Sequence, residues 1–392
     1  MNKNIAFLIP SLRNGGAERV LSNMSINLDE KFNQTIIVWD SNNIDYPYNG
    51  EIVDIQVFNK DSILENIGVL LKRIKKVKKY KKEKSIDTTI SLLEGPNIVN
   101  IFSRKKDKVI ISVHNFQSKE RKGMYGKIFK FLIKHFYNKA DYVVAVSAHI
   151  KKDLVENFNI SEEKVKVIYN PFDIKAIESL MKEDIEDEYK FIFEKPVIIN
   201  AGRLTEQKGQ WHLIKSFYEV KKTNPDCNLV ILGQGELEED LKKLAKELGI
   251  EDSVFFLGFQ KNPFKFIHNA DIFALTSLFE GFPMCLAESM VCKTPIISVD
   301  CKSGPREMLY DDADISKCAN KVEHATFGVL SCPFDDTTDF STNINNEEKE
   351  FAKGLVELLN DKGLREEYHS KASKRVKDFD VANILKQWES II

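Results

Sequence analysis

The stretch "KVIYNPFD" (166–173) closes one series of strands, and "PVIINAGR" (196–203) opens another. Before the first lie "IAFLIP" (5–10), "TIIVWD" (35–40), "DTTISLLE" (87–94), "KVIISVHN" (108–115) and "DYVVAVSA" (141–148). After the second come "NLVILGQG" (228–235), "SVFFLGF" (253–259), "DIFALTS" (271–277) and "TPIISVD" (294–300). Each run is short, β-branched or aromatic, and nearly continuous in apolar character. Such runs, separated by helical stretches, indicate parallel strands buried on both faces. The series stops near Asn170–Asp173, passes a charged stretch at 175–195, and restarts. The reading is α/β, with two doubly wound Rossmann-like domains, 1–170 and 171–377, and a last helix, 378–392, packed back on the first.

The helical stretches have legible faces. In "ENIGVLLKRIKKVKKYKKEK" (65–84), Ile67, Leu70, Leu71, Ile74 and Val77 recur at three- and four-residue spacing. Leu237, Leu241, Leu244 and Leu248 do the same in "GELEEDLKKLAKELGI" (235–250). The polar run 335–350 reads as a loop. A length of 392 residues suits two domains rather than one, and 43% hydrophobic with 30% charged content suits a globular chain. The six cysteines form no C-x-x-C pair, which argues against zinc and against a secreted disulfide framework. They read as reduced thiols of a cytoplasmic protein. The N-terminus reads as a first strand rather than a signal peptide, and no apolar run nears the roughly 20 residues of a membrane span.

In sheets of this kind ligands bind at the carboxyl ends of strands, where loops lead into helix N-termini. That selects a small set of loops. Gly15 and Gly16 follow strand one and let backbone approach a ligand, although the dinucleotide fingerprint G-x-G-x-x-G is missing. Arg203 and Lys208, in "AGRLTEQKG", are two cations at a strand end and suit a diphosphate. His114 ends the strand 108–113. In "LFEGFPMCLAESM" (278–290), Glu280, Gly281, Phe282 and Pro283 turn into a helix. Pro283 suits its first turn, and the free N–H groups from Met284 to Leu286 are anion donors. Glu288 lies inside that helix, so the two carboxylates reach different parts of one ligand. "CKSGPREML" (301–309) repeats the strand–Gly-Pro–helix design. The D-x-D triplets at Asp312–Asp314 and Asp378–Asp380 follow no strand, so no metal site is assigned.

"FEGFPMCLAES" resembles the E-x7-E element of the retaining glycosyltransferases of family four, which have the GT-B fold. "GGAER", "AGRLTEQKG", "ILGQGELEEDL", "VFFLGF" and "SGPREML" resemble the same family in the same order, over nearly the whole chain. The subgroup looks like bacterial enzymes that build surface polysaccharide or glycan precursors on lipid carriers. "AES" stands where many relatives have "LEA". The resemblance implies two domains facing across a cleft, a nucleotide-sugar donor, no cofactor and no required metal. It implies that Gly16 meets the donor diphosphate, Arg203 and Lys208 hold its phosphates, Glu288 binds the ribose, and Glu280 lies by the sugar. His114 would contact the sugar or its phosphate, and Gly235 with the main chain of Phe256–Gly258 would read the base. The favoured donor is a UDP-sugar, an N-acetylhexosamine or galactose, and the acceptor a lipid-linked saccharide.

Charge is uneven although the net is only −2: residues 60–139 hold 21 Lys or Arg against 7 Asp or Glu. Nine of these cations lie between Lys72 and Lys84. Together with Lys119–Lys139, where Lys alternates with aromatic residues, they suit an anionic membrane surface and a peripheral location on its inner face. A Lys-rich, merely solvated face is the simpler alternative. Two other function classes fit less well. A nicotinamide-dependent dehydrogenase would use two Rossmann-like domains, but the fingerprint is absent. Nothing resembles a nucleic-acid recognition module, so no nucleic-acid partner is assigned.

Overall fold

The computed structural model describes residues 3–13, 15–120 and 123–392. They form two compact units, 1–172 with 379–392, and 173–378. Unit 1 contains β1 (Lys3–Ile9), β2 (Phe32–Val38), β3 (Glu51–Asp54), β4 (Thr88–Leu92), β5 (Lys108–Val113), β6 (Tyr142–Ala145) and β7 (Val165–Val167). They make one sheet in the order β3-β2-β1-β4-β5-β6-β7, every pair parallel. Unit 2 contains β8 (Val197–Ala201), β9 (Asn228–Leu232), β10 (Val254–Gly258), β11 (Ile272–Leu275), β12 (Ile296–Val299), β13 (Glu323–His324) and β14 (Val329–Ser331). Its order is β10-β9-β8-β11-β12-β14-β13, parallel except for β13. Both are doubly wound, Rossmann-like sheets.

The strands end earlier than their apolar runs, because the last residues of each run already belong to the loops that leave the sheet. Three short strands went unread. Four-residue β3 begins and ends on an acid, and β13 and β14 offer only two and three residues. In unit 2 the sheet carries helix Gln210–Lys221, which buries Trp211, Leu213, Ile214 and Phe217. Burying one such side chain contributes about 1.5–3 kcal/mol.

Two sequence expectations are corrected. The run 335–350 is not all loop: helix Asn346–Asn360 starts inside it, with Asn345 and Glu348 forming a capping box. Its polar first turn hid it. In helix Ile63–Glu83, Val77 is buried and Leu70 and Ile74 pack on the core, but Ile67 and Leu71 are 53% and 62% exposed. The apolar stripe is wider than the arc that the sheet covers.

Lys81, on the covered side of that helix, is fully buried. Its ammonium donates to Asp107 Oδ2 and to Asn100 Oδ1, each at 2.8 Å. Burial lowers this lysine to about 8, against the pull of Asp107. Asp107 also accepts from Thr89 Oγ1 and from the Lys105 N–H. Removing one partner of a buried pair strands the other charge and costs about 3–5 kcal/mol. Asp107→Ala should destabilise unit 1 by that amount in urea unfolding followed through Trp39 and Trp388. A loss below 1 kcal/mol would show that the pair does not hold the helix.

Candidate functional site

In unit 2 the strand order reverses between β8 and β11, the place where such sheets bind ligands. The loops leaving those two strands are 202–209 and 276–283, which carry Arg203, Lys208 and Glu280. Separated by 72 positions, Lys208 Nζ and Glu280 Oε1 stand 2.6 Å apart. Burial pulls the Lys208 ammonium down, but the Glu280 carboxylate outweighs it, and the net shift is upward. Lys208 is therefore charged at neutral pH. Arg203 is exposed, and its guanidinium has no partner among the described residues.

The loops are laced by their own backbone. Leu278 N–H donates to the Gln207 carbonyl at 2.8 Å, Gln207 Nε2 to the Phe279 carbonyl at 3.0 Å, and Thr276 Oγ1 to the Lys208 carbonyl at 3.1 Å. Gly209 closes the first loop with φ +61°, and a β-carbon there would lie 2.5 Å from the Thr276 carbonyl oxygen. Only glycine fits so close an approach. The second loop is clamped by "CKSGP": Glu280 N–H donates to the Lys302 carbonyl, and Ser303 donates through N–H and Oγ to the Glu280 carbonyl.

Helix Met284–Val291 follows. Here the sequence reading needs correction. Pro283 is the residue before the helix rather than within its first turn, and its carbonyl accepts the Leu286 N–H at 3.0 Å. Leu286 is thereby removed from the donor set. The N–H groups of Met284 and Cys285 remain without a partner among the described residues. Glu288 is buried on this helix, and Gly281 and Phe282 are buried in the turn before it.

The loops after β9 and β10 sit beside Arg203. Leu204 N–H donates to the Gln234 carbonyl at 3.0 Å and Gly233 N–H to the Gly258 carbonyl at 2.8 Å. A β-carbon on Gly235 would meet the Leu204 carbonyl oxygen at 2.2 Å. Phe256 is half-buried with the Lys242 ammonium 6.0 Å over its ring. The Arg203, Lys208, Glu280 and Gly281–Met284 residues thus gather in one unit with Glu288, and Gly235, Phe256 and Gly258 lie on the adjoining strand ends.

Gly15, Gly16 and His114 belong to unit 1. Gly15 precedes helix Gly16–Asn27 at the end of β1, beside the switch point between β1 and β4. His114 follows β5, with Nε2 3.0 Å from Ser112 Oγ. Burial lowers its imidazole to about 4. It is a neutral hydrogen-bonding group at pH 7.

Two residues near these loops went unsingled. Glu94 is buried at the start of helix Glu94–Phe102, directly after β4, and accepts from Gln117 Nε2 at 2.8 Å. Its only sequence signal is its place at the end of "DTTISLLE" (87–94), directly after a strand. Cys285 lies within electrostatic range of Lys208, Glu280 and Glu288, and burial pushes its thiol up to about 12. No spacing rule marks it. The D-x-D acids serve local structure: Asp314 accepts from Ser316, Asp378 pairs with Arg375, and Asp380 caps helix Val381–Ile391.

The chain is similar to several known proteins. The profile of "Glycosyltransferase Family 4" matches residues 14–176, and that of "Glycosyl transferases group 1" matches residues 181–324. The chain is 33% identical to N-acetylgalactosamine-N,N'-diacetylbacillosaminyl-diphospho-undecaprenol 4-alpha-N-acetylgalactosaminyltransferase of Campylobacter jejuni, over 98% of each chain. It is 36% identical to an uncharacterized glycosyltransferase of Methanocaldococcus jannaschii, over 82% of this chain and 83% of the other. HepE of Anabaena, solved in complex with UDP and glucose, superposes with a TM-score of 0.74 at 21% identity, covering 99% of this chain and 98% of that one.

A pH prediction follows from His114. The unfolded imidazole takes its proton near 6.5, the folded one only near 4. Between those values the unfolded state binds more protons, so folding loses stability as pH falls. Each pKa unit corresponds to about 1.4 kcal/mol. His114→Gln should make the acid loss between pH 6.5 and 4 shallower by about 3 kcal/mol in chemical denaturation. An unchanged slope would mean that His114 titrates normally.

Proposed function

We propose a function from one premise: this chain belongs to glycosyltransferase family 4 and is a glycosyltransferase of the GT-B fold. That premise removes the dehydrogenase alternative. The enzyme moves a sugar from a nucleotide-sugar donor to a lipid-linked saccharide, with retention of anomeric configuration and without a required metal ion. UDP-N-acetylhexosamine is the favoured donor and UDP-galactose the next. The relative from Campylobacter, whose name specifies an N-acetylgalactosaminyl transfer to a diphospho-undecaprenol-linked saccharide, supports both the donor class and the acceptor class.

The observation that carries the reading is the meeting of Lys208 with Glu280 at the switch point, beside Arg203 and two unpaired helix N–H groups. Breaking the bond between the sugar and its phosphate leaves negative charge on the departing diphosphate and positive character on the sugar. Arg203, Lys208 and the N–H groups of Met284 and Cys285 hold the first, and the Glu280 carboxylate lies by the second. Fixed donors of this kind stabilise charge where it develops and need no reorganisation. Glu288 is assigned the ribose hydroxyls, the main chain at Phe256–Gly258 and Gly235 the base, and neutral His114 a hydrogen bond to the sugar or its phosphate.

Incubation with a panel of nucleotide sugars, with nucleotide diphosphate release as the readout, tests the class of donor. Arg203→Ala and Lys208→Ala should each lower turnover about 10²–10³-fold at saturating donor, the cost of one transition-state donor. Near-native rates in both would move the phosphate site elsewhere.

Peripheral membrane attachment is the second part of the reading. No helix among the described residues is long and apolar enough to cross a membrane. Of the nine cations at 72–84, Lys81 is buried, Arg73 and Lys76 donate to the Val57 and Ile55 carbonyls, and Lys79 and Lys84 pair with Glu83 and Glu51. Lys72, Lys75, Lys78 and Lys82 are exposed without a partner among the described residues, on the helix side that also shows Ile67 and Leu71. In the 119–139 stretch, Arg121 and Lys122 lie outside the described residues; Ile128 and Phe131 are exposed on helix Gly123–Phe136. Exposed cations interleaved with apolar side chains support an anionic lipid surface. Each such cation contributes about 1 kcal/mol, screened over about 8 Å at physiological salt. Changing Lys72, Lys75, Lys78 and Lys82 to Glu should release the protein from anionic vesicles in co-sedimentation while donor hydrolysis persists. Wild-type protein that ignores such vesicles at low salt would leave only a solvated helix face.

A further inference from the structure

The two cations of the donor site stand in different states. Arg203 is open, whereas Lys208 is already occupied by Glu280 at 2.6 Å, with the side chains 17% and 7% exposed. The backbone that carries each partner is tied down. Lys208 is held through its carbonyl by Thr276, and a β-carbon on Gly202 would lie 3.6 Å from its stem. Glu280 is fixed on both sides of its peptide by Lys302 and Ser303. A diphosphate that engages Lys208 arrives as a second anion at an ammonium that already has one.

We propose that Glu280 competes with the diphosphate for Lys208 and so expels the nucleoside diphosphate that remains after sugar transfer. The inference rests on the donor-site reading above and adds a role that contact with the sugar does not require. Charge supplies the direction. While the sugar is attached, the diphosphate is a diester and carries about two negative charges. After transfer the freed terminal phosphate gains a second ionisation near pH 6, so at neutral pH the product carries about one charge more. The site itself holds two carboxylates, Glu280 and Glu288, against two cations, Arg203 and Lys208. The product brings about one more negative charge than the donor, a charge that must share Lys208 with Glu280. Glu280 thus discriminates against the product while Arg203 and the helix N–H groups serve both.

Calorimetric titration with UDP decides the matter, using wild type, Glu280→Gln, Lys208→Met and the double variant. Glutamine keeps the size and the acceptor oxygen of Glu280 but drops its charge. Glu280→Gln should bind UDP about ten-fold more tightly, a modest part of what one charge at contact distance contributes in a partly buried site. Its affinity for an intact UDP-sugar should rise less or fall. In the Lys208→Met background the same replacement should gain less than about two-fold, because there is no cation left to contest. Unchanged or weaker UDP binding by Glu280→Gln overturns the proposal. So does a ten-fold gain that persists without Lys208, which would indicate direct repulsion instead. If all four proteins are folded by circular dichroism and none binds UDP or GDP, the donor-site reading itself falls and takes this inference with it.

Discussion

A parallel sheet finishes all of its strands at one edge, and most of what is distinctive in unit 2 follows from that constraint. Crossovers of one hand return every chain segment to the same side before the next strand. Where the order reverses, between β8 and β11, no crossover covers the strand ends, and two loops from distant parts of the chain share the space. Lys208 and Glu280 meet there. Unit 1 has its own reversal between β1 and β4, where Gly15 and the buried Glu94 leave the sheet.

Such a meeting is useful only if the loops hold still. A charged pair held loosely spends its interaction on ordering long side chains. Here the backbone is committed first, through the bonds between 207–208 and 276–279 and between 280 and 302–303. Behind the first loop, helix Gln210–Lys221 is anchored by polar contacts in its buried face. His212 Nδ1 lies 2.7 Å from Glu348 Oε1 and its ring stacks on Phe334, while Lys215 pairs with Asp339 at 2.8 Å. Glu348 also completes the capping box of its own helix. The polar segment before that helix, which has no apolar pattern, thereby supports the loop 202–209 from behind.

Unit 1 shows how the same lysine-rich sequence serves different ends. Along helix Ile63–Glu83 the cations are sorted by rotation about the axis. Lys81 faces the sheet and is neutralised by Asp107; Arg73 and Lys76 lie at the margin and satisfy carbonyls; Lys72, Lys75, Lys78 and Lys82 face outward. A count of charges in the sequence treats them alike. A buried ammonium must find a carboxylate, and an exposed one need not.

The sequence by itself determined the class of fold, the number of sheets and the loops worth attention, because those depend on local pattern. Runs such as "KVIISV" and "PVIINA" read as buried strands, and Gly281 and Pro283 mark a turn by their own backbone preferences. It also determined family membership, since motifs in a fixed order survive without coordinates. What lacked a local pattern was out of reach. Strands β3, β13 and β14 are too short to show a period, and the start of helix Asn346–Asn360 is masked by its capping acids. Whether Leu71 or Leu70 faces the core depends on which arc the sheet covers. That Leu286 spends its N–H on Pro283, that Cys285 lies among Lys208, Glu280 and Glu288, and that Lys208 is held by a carboxylate were decided only by tertiary structure. Each is a contact across space, and the energy of a charge or a hydrogen bond depends on distance and burial, which the order of residues along a chain does not contain.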